Sequence, residues 1–188
     1  MILASYLENP KNLFFEGQDE DEKVLLVLRA HPITNIGWIL FALTIFLLPF
    51  FVPKIINLMG VTLPVIDEEI VTGFLLINYL LVLVIIFEGF LHWYFNVSIL
   101  TDKKILDVDF ESLLYKKIDL APLSNVEETD SHVKGIFGTF FNFGDVSVQT
   151  AGASVGIDLK NVPMPHQVSD RILDEAHLFK KGGKHHAP

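Results

Sequence analysis

The rhythm of apolar positions changes along the chain, and each rhythm predicts a different kind of element. From Ile36 to Val52 (IGWILFALTIFLLPFFV) the run is continuous and carries no charge. A second uncharged run, Ile70–Phe87, keeps its apolar character past Glu88 to Trp93 and Tyr94. A helix needs about 20 apolar residues to cross roughly 30 Å of hydrocarbon, so both runs predict transmembrane helices. The first is short unless it continues through Ile55 and Ile56 to Met59 with Lys54 reaching for the surface. Pro49 and Pro53 are expected to kink or end it. Trp38, Trp93 and Tyr94 stand where interfacial aromatic anchors belong. A buried two-helix core in a soluble protein is the alternative, but the remaining polar chain is too small to cover both helices. A cleavable signal is not expected, because the first run lies behind Asp19-Glu20-Asp21-Glu22 and no basic stretch introduces it.

After Tyr94 the period becomes two. Phe95, Val97 and Ile99 alternate with Asn96 and Ser98, Thr101-Asp102-Lys103 reads as a turn, and Ile105–Phe110 and Leu113–Ile118 follow as short strands. Asn142-Phe143-Gly144-Asp145 reads as a turn before Val146–Thr150, and Val155, Ile157 and Leu159 alternate once more. From Pro165 the spacing becomes three and four, through Val168, Ile172, Leu173, Ala176 and Phe179, which predicts an amphipathic helix. The expected fold is a membrane α-helical hairpin plus an α+β, mainly-β domain. That domain is about seven antiparallel strands in a curved sheet or partial barrel, closed by the C-terminal helix. The expected divisions are an arm over 1–35, the hairpin over 36–94, the sheet domain over 95–179 and a flexible tail over 180–188. Residues 1–22 read as mobile. The apolar run Val24–Leu28 is expected as a short interfacial strand or helix leading into the membrane, or as a strand added to the downstream sheet edge.

Four motifs in the second half carry a resemblance. Tyr94-Phe95-Asn96-Val97-Ser98-Ile99-Leu100-Thr101-Asp102-Lys103-Lys104-Ile105 follows the hairpin directly. Leu120-Ala121-Pro122-Leu123-Ser124-Asn125-Val126, then Asn142-Phe143-Gly144-Asp145-Val146 with Thr150-Ala151-Gly152, then Val162-Pro163-Met164-Pro165 come in order. Together they resemble bacterial pleckstrin-homology-like (PH-like) domains, specifically those of YdbS-like membrane proteins. The resemblance covers roughly residues 93–178 and, by arrangement, the preceding hairpin. It departs in a longer segment, Asp130–Thr139, and in the Lys-Lys-Gly-Gly-Lys-His-His tail. It implies a fold and a membrane setting and names no ligand.

Charge narrows the function classes. The chain has 14 basic and 23 acidic residues for a net −9, and the stretches 1–35, 36–94 and 95–188 are each acidic, which excludes a basic nucleic-acid face. Lys11, Lys23 and Arg29 precede the first run, and Lys103 and Lys104 follow the second. The loop Pro53–Glu69 has only Lys54 against Asp67, Glu68 and Glu69. This bias predicts a multi-pass protein of the cytoplasmic membrane with both termini inside. With no Cys, thiolate chemistry and Cys-ligated metals are absent.

No catalytic motif is present, so the chain is not expected to be an enzyme, and no cofactor or metal is implied. Asp130-Ser131-His132 holds triad residue types but reads as a polar loop, and His185-His186 as part of a tail. Glu88 and His92, four apart on the second span, form a candidate intramembrane polar pair. Interfacial placement or pairing with Arg29 or His31 explains them better than transport. In Ile136-Phe137-Gly138-Thr139-Phe140-Phe141, core packing is the expectation. Phe141 and Phe143 would share a strand face, leaving Phe137 and Phe140 as candidate membrane or partner contacts. Lys103 and Lys104 sit where PH domains read inositides, but Asp102, Asp107 and Asp109 surround them. The expected function is a membrane-anchored, non-enzymatic binding or scaffold module. Its partners would be the bilayer and a protein or a second copy, met through a strand edge or the Phe137–Phe140 segment. The alternative is an accessory subunit of a transporter or export complex; a lipid-headgroup reader and a membrane enzyme rank below it.

Overall fold

A computed structural model describes residues 4–10, 13–60, 67–112, 115–151 and 156–183. The chain divides into two compact units, the described residues of Met1–Thr34 with His92–Pro188, and Asn35–Leu91.

The second unit is a helical hairpin of α1 (Ile36–Leu58) and α2 (Glu68–Phe95), the latter running on into the first unit. Both are long and apolar enough to cross a membrane. Lipid-like side chains cover them on all sides, and Ala42 and Val82 alone are buried among their described residues. Neither proline ends α1. A proline does leave the carbonyl four residues earlier without its helical donor. For Pro49 that carbonyl belongs to Ile45, and the Asn78 side-chain amide of α2 donates to it at 3.3 Å. A group that hydrocarbon would leave unpaired is thereby satisfied by the neighbouring helix. Thr44 and Thr72 likewise donate to carbonyls one turn back in their own helices, Leu40 and Glu68. The helices approach closely where Gly89 meets the Trp38 ring. A Cβ there would lie 2.6 Å from Trp38 Cδ2, and Asn35 accepts the indole N–H at 3.0 Å.

The first unit holds two antiparallel sheets. The five-stranded sheet runs β1 (Tyr6–Glu8), β2 (Val24–Arg29), β3 (Val97–Thr101), β4 (Lys104–Ser112), β5 (Tyr115–Pro122). The three-stranded sheet runs β6 (Val126–His132), β7 (Phe143–Thr150), β8 (Ile157–Pro163). Neither closes into a barrel among the described residues. A short helix α3 (Gly135–Phe141) links β6 to β7, and α4 (Pro165–Gly183) packs on β6, β7 and the 3-10 turn Leu123–Asn125. The core lies between the sheets: Leu26, Leu28, Leu100, Ile105 and Ala121 face Val146, Val148, Ile157 and Leu159. Val168, Ile172 and Ala176 of α4 complete it at the predicted helical spacing.

Several expectations are corrected here. Val24–Leu28 is neither a free interfacial strand nor a helix but takes its alternative expectation, a strand added to the downstream sheet: it pairs with β3 from Arg29↔Val97 to Val24↔Thr101. A bulge at Leu25 turns Val24 to the same face as Val27. The run is therefore covered on both faces, which explains why it is continuous rather than alternating. The arm before it is structured, with β1 pairing β2 and Leu7, Leu13 and Phe15 covering a second small core of Val24, Val27, Ile99 and Leu106. Six described strands, not seven, lie within 95–179, and Asp130-Ser131-His132 belongs to β6 instead of a loop. The predicted turn Asn142–Asp145 is a single left-handed residue, Asn142 (φ 52°), with β7 starting at Phe143.

Candidate functional site

Three surface features gather the residues singled out from the sequence. The first is the β3–β4 turn with Lys103 and Lys104. Their acidic partners are not the neighbouring aspartates but the arm, some 80 residues upstream. Glu22 is 4% exposed, accepts the Asp19 N–H at 3.0 Å and pairs with Lys104 at 3.0 Å. The Thr101 hydroxyl meets its other oxygen at 2.6 Å and itself accepts the Lys104 N–H at 2.9 Å. Burial alone would raise the Glu22 pKa, but these donors together hold it below the usual carboxylate value. Lys104 also donates to the Gly17 carbonyl at 2.8 Å and lies 5.6 Å from the centre of the Phe15 ring. Lys103 sits 3.4 Å from Asp19 at the surface. The arm thus occupies the cationic groups a headgroup reader would present.

The second feature is β5, the edge strand of the larger sheet. In register, Leu7, Val27, Ile99, Leu106 and Leu120 form one row across the outer face, and Val97, Val108 and Ile118 form the next. The arm buries the β2 end of these rows. Their β5 end is open, with Ile118 and Leu120 both about half exposed on a strand that pairs on its other side with no strand among the described residues.

The third is α3. It carries no charge, and its packing contradicts the expected burial of this segment: Ile136 is 87% exposed, Phe137 70% and Phe140 80%. Gly138 is the side that meets the body, so close that an added Cβ would lie 3.0 Å from the Phe143 carbonyl and 3.2 Å from Val133. Gly135, Ile136, Thr139 and Phe140 line a shallow apolar depression. Phe141 and Phe143 do not share a buried strand face; both lie against His31, whose ring stacks on Phe143 with centroids 5.4 Å apart and tilts toward Phe141 at 6.4 Å. Burial lowers the His31 pKa, favouring the neutral ring.

The remaining candidates are placed separately. His92 bonds the Phe110 carbonyl through Nδ1 at 2.8 Å and meets the Asn96 amide at 3.3 Å, anchoring the end of α2 to β4. Arg29 Nε donates to the Tyr94 carbonyl at 3.2 Å, and the guanidinium lies over the Tyr94 ring. Glu88 is exposed on α2. Ser131 meets a histidine, but it is His166 in the first turn of α4, at 2.7 Å, while Asp130 accepts from Gln149. This hydroxyl–imidazole contact is exposed and ties β6 to α4. Among the described residues no cluster of three metal-ligating side chains occurs, and His185-His186 lie outside them.

Glu22 is the feature that sequence reasoning passed over; a contacting strand edge was expected but not placed on β5. An acidic run before a strand reads as solvated. The residues it meets, Thr101-Asp102-Lys103-Lys104, read as a turn and do not point to the arm. Compared with known proteins, the chain matches no family model, no curated protein and no solved structure.

Proposed function

We propose that this chain is a membrane-anchored, non-enzymatic binding module. In this reading the hairpin crosses the cytoplasmic membrane with both termini inside. The sheet unit is a PH-like domain of the YdbS-like kind, presented at the inner face to a protein partner. The order of the four motifs behind the two apolar helices supports the family reading, as do two antiparallel sheets packed with a C-terminal helix.

The observation that carries the binding role is the open β5 edge. Ile118 and Leu120 extend an apolar face whose other end the protein's own arm already covers. A partner strand added along β5 would supply backbone hydrogen bonds and complete that face, the usual logic of sheet augmentation. The arm does this on the opposite side, through β2. Lys116 and Lys117 on the same strand discourage indiscriminate pairing.

A photo-crosslinking residue at Ile118 or Leu120 in native membranes is expected to give a discrete protein adduct, while one at Gln167 on the exposed side of α4 gives none. Adducts arising only from Leu76 in α2 would replace this reading with that of an accessory subunit gripped by its spans. No adduct at β5 or α2 would overturn the binding role.

A further inference from the structure

The end of the sheet unit that holds α3 is also the end through which the chain passes to and from its apolar helices. Arg29 closes β2 opposite Val97, which opens β3, and Val97 in turn pairs with Val108 near the end of β4. Just beyond, Trp93 donates to the Ala30 carbonyl at 2.8 Å, His92 to Phe110 is bonded at 2.8 Å, and the Phe95 and Phe110 rings meet at 5.5 Å. The His31 N–H donates to Asn161 at 2.8 Å, and its ring rests on Phe143 and Phe141, the residues that finish α3 and open β7. The crossing at residues 30–34 therefore meets the end of α3 through His31, and the crossing at 92–96 is tied to it through Trp93 and Ala30.

The helix is built inside out for a water-facing element. Its glycine lies against the protein, and its isoleucine and two phenylalanines point away. Three large apolar side chains on one uncharged turn-and-a-half of helix call for an apolar surface outside the chain. Trp93 and Tyr94 mark the interfacial level at the adjoining crossing, where aromatic rings concentrate. Flanking Lys134, bonded to Asp145 at 2.6 Å, sets a polar rim beside the helix.

From this juxtaposition we propose that α3 lies in the interfacial layer of the bilayer, with Ile136, Phe137 and Phe140 buried at the headgroup–acyl boundary, as a third attachment of the sheet unit beside its two covalent ones. The proposal rests on the reading that α1 and α2 cross a bilayer. Its driving force is apolar burial, so it needs no basic face, in keeping with an acidic domain whose hairpin lysines are occupied by the arm.

The chain has no Cys, so single cysteines report cleanly. The full-length protein, purified and placed in phosphatidylcholine–phosphatidylglycerol nanodiscs, would carry an environment-sensitive fluorophore on Phe137→Cys or Phe140→Cys. Leu76→Cys in α2 and Glu127→Cys at the far end of β6 serve as references. The expected result is blue-shifted α3 emission, quenched several-fold more by nitroxide lipids than at Glu127, with shallow nitroxides outperforming deep ones. Leu76 should respond best to deep nitroxides. If Leu76 is lipid-quenched while both α3 labels respond only to aqueous iodide, the α3 proposal is overturned and the hairpin reading stands. Labels shielded from both quenchers would also overturn it, in favour of a second copy covering the helix. If Leu76 itself escapes lipid quenching, the membrane reading fails with it.

Discussion

Asp107 is a partly buried carboxyl whose charge works against the sheet unit. It lies on β4 between Ser98 and Asp119 in register, and the Ser98 hydroxyl donates to it at 2.6 Å. Burial, with help from Asp109 and Asp119, pushes its pKa up to about 6 against the pull of Ser98 and Lys160. Because the folded value lies above the unfolded one, the carboxyl costs the fold nothing below about pH 4. The penalty grows as pH rises through 6 and is complete above it. A shift of this size corresponds to about 2–3 kcal/mol at most, less where solvent reaches the group. Asp107→Asn keeps an acceptor for Ser98, so the variant is expected to melt higher than its parent at pH 8 and alongside it at pH 4. A melting difference that ignores pH would show that the carboxyl is not held protonated. Glu22 has the opposite balance: buried, but with donors enough to stay ionised. Neither was legible in the sequence, where Asp107 sits in an alternating Asp-x-Asp strand and Glu22 ends an acidic run. Both depend on partners from other strands, and local pattern carries no information about those.

At the scale of elements, the hairpin offers a test of how its polar groups are satisfied. If Asn78 exists to serve the carbonyl that Pro49 leaves without a donor, the two residues are coupled. Asn78→Leu is expected to cost about 1 kcal/mol of hairpin stability in reversible detergent unfolding. In a Pro49→Ala background, where residue 49 regains its N–H, the same change should cost much less. Equal costs in both backgrounds would separate them. The long helices were legible because continuous apolar runs have few other solutions, and α4 because its apolar spacing matches a helix packed on one side. The run Val24–Leu28 could not be decided locally, since five consecutive apolar residues suit any doubly covered element. The helix α3 was missed as a helix for a related reason: periodicity finds helices by the side they bury, and this one buries a glycine. Its phenylalanines were counted toward a core that Val146, Val148 and Leu159 already fill.

The whole molecule joins one apolar hairpin to one sheet unit, with β1 and β2 contributed from before α1 and β3–β8 from after α2. Given a hairpin that crosses a bilayer, as proposed, both of its flanks must lie on the same side, because β2 and β3 share a ladder. In the reading proposed above, the charge bias puts that side in the cytoplasm and the acidic end of α2 outside. Thiol accessibility in intact cells tests this most directly, using exposed positions in an otherwise Cys-free chain. An impermeant maleimide is expected to label the Asp67→Cys variant in intact cells and the Glu127→Cys variant only after permeabilisation. Labelling of Glu127→Cys in intact cells with protection of Asp67→Cys would contradict the account.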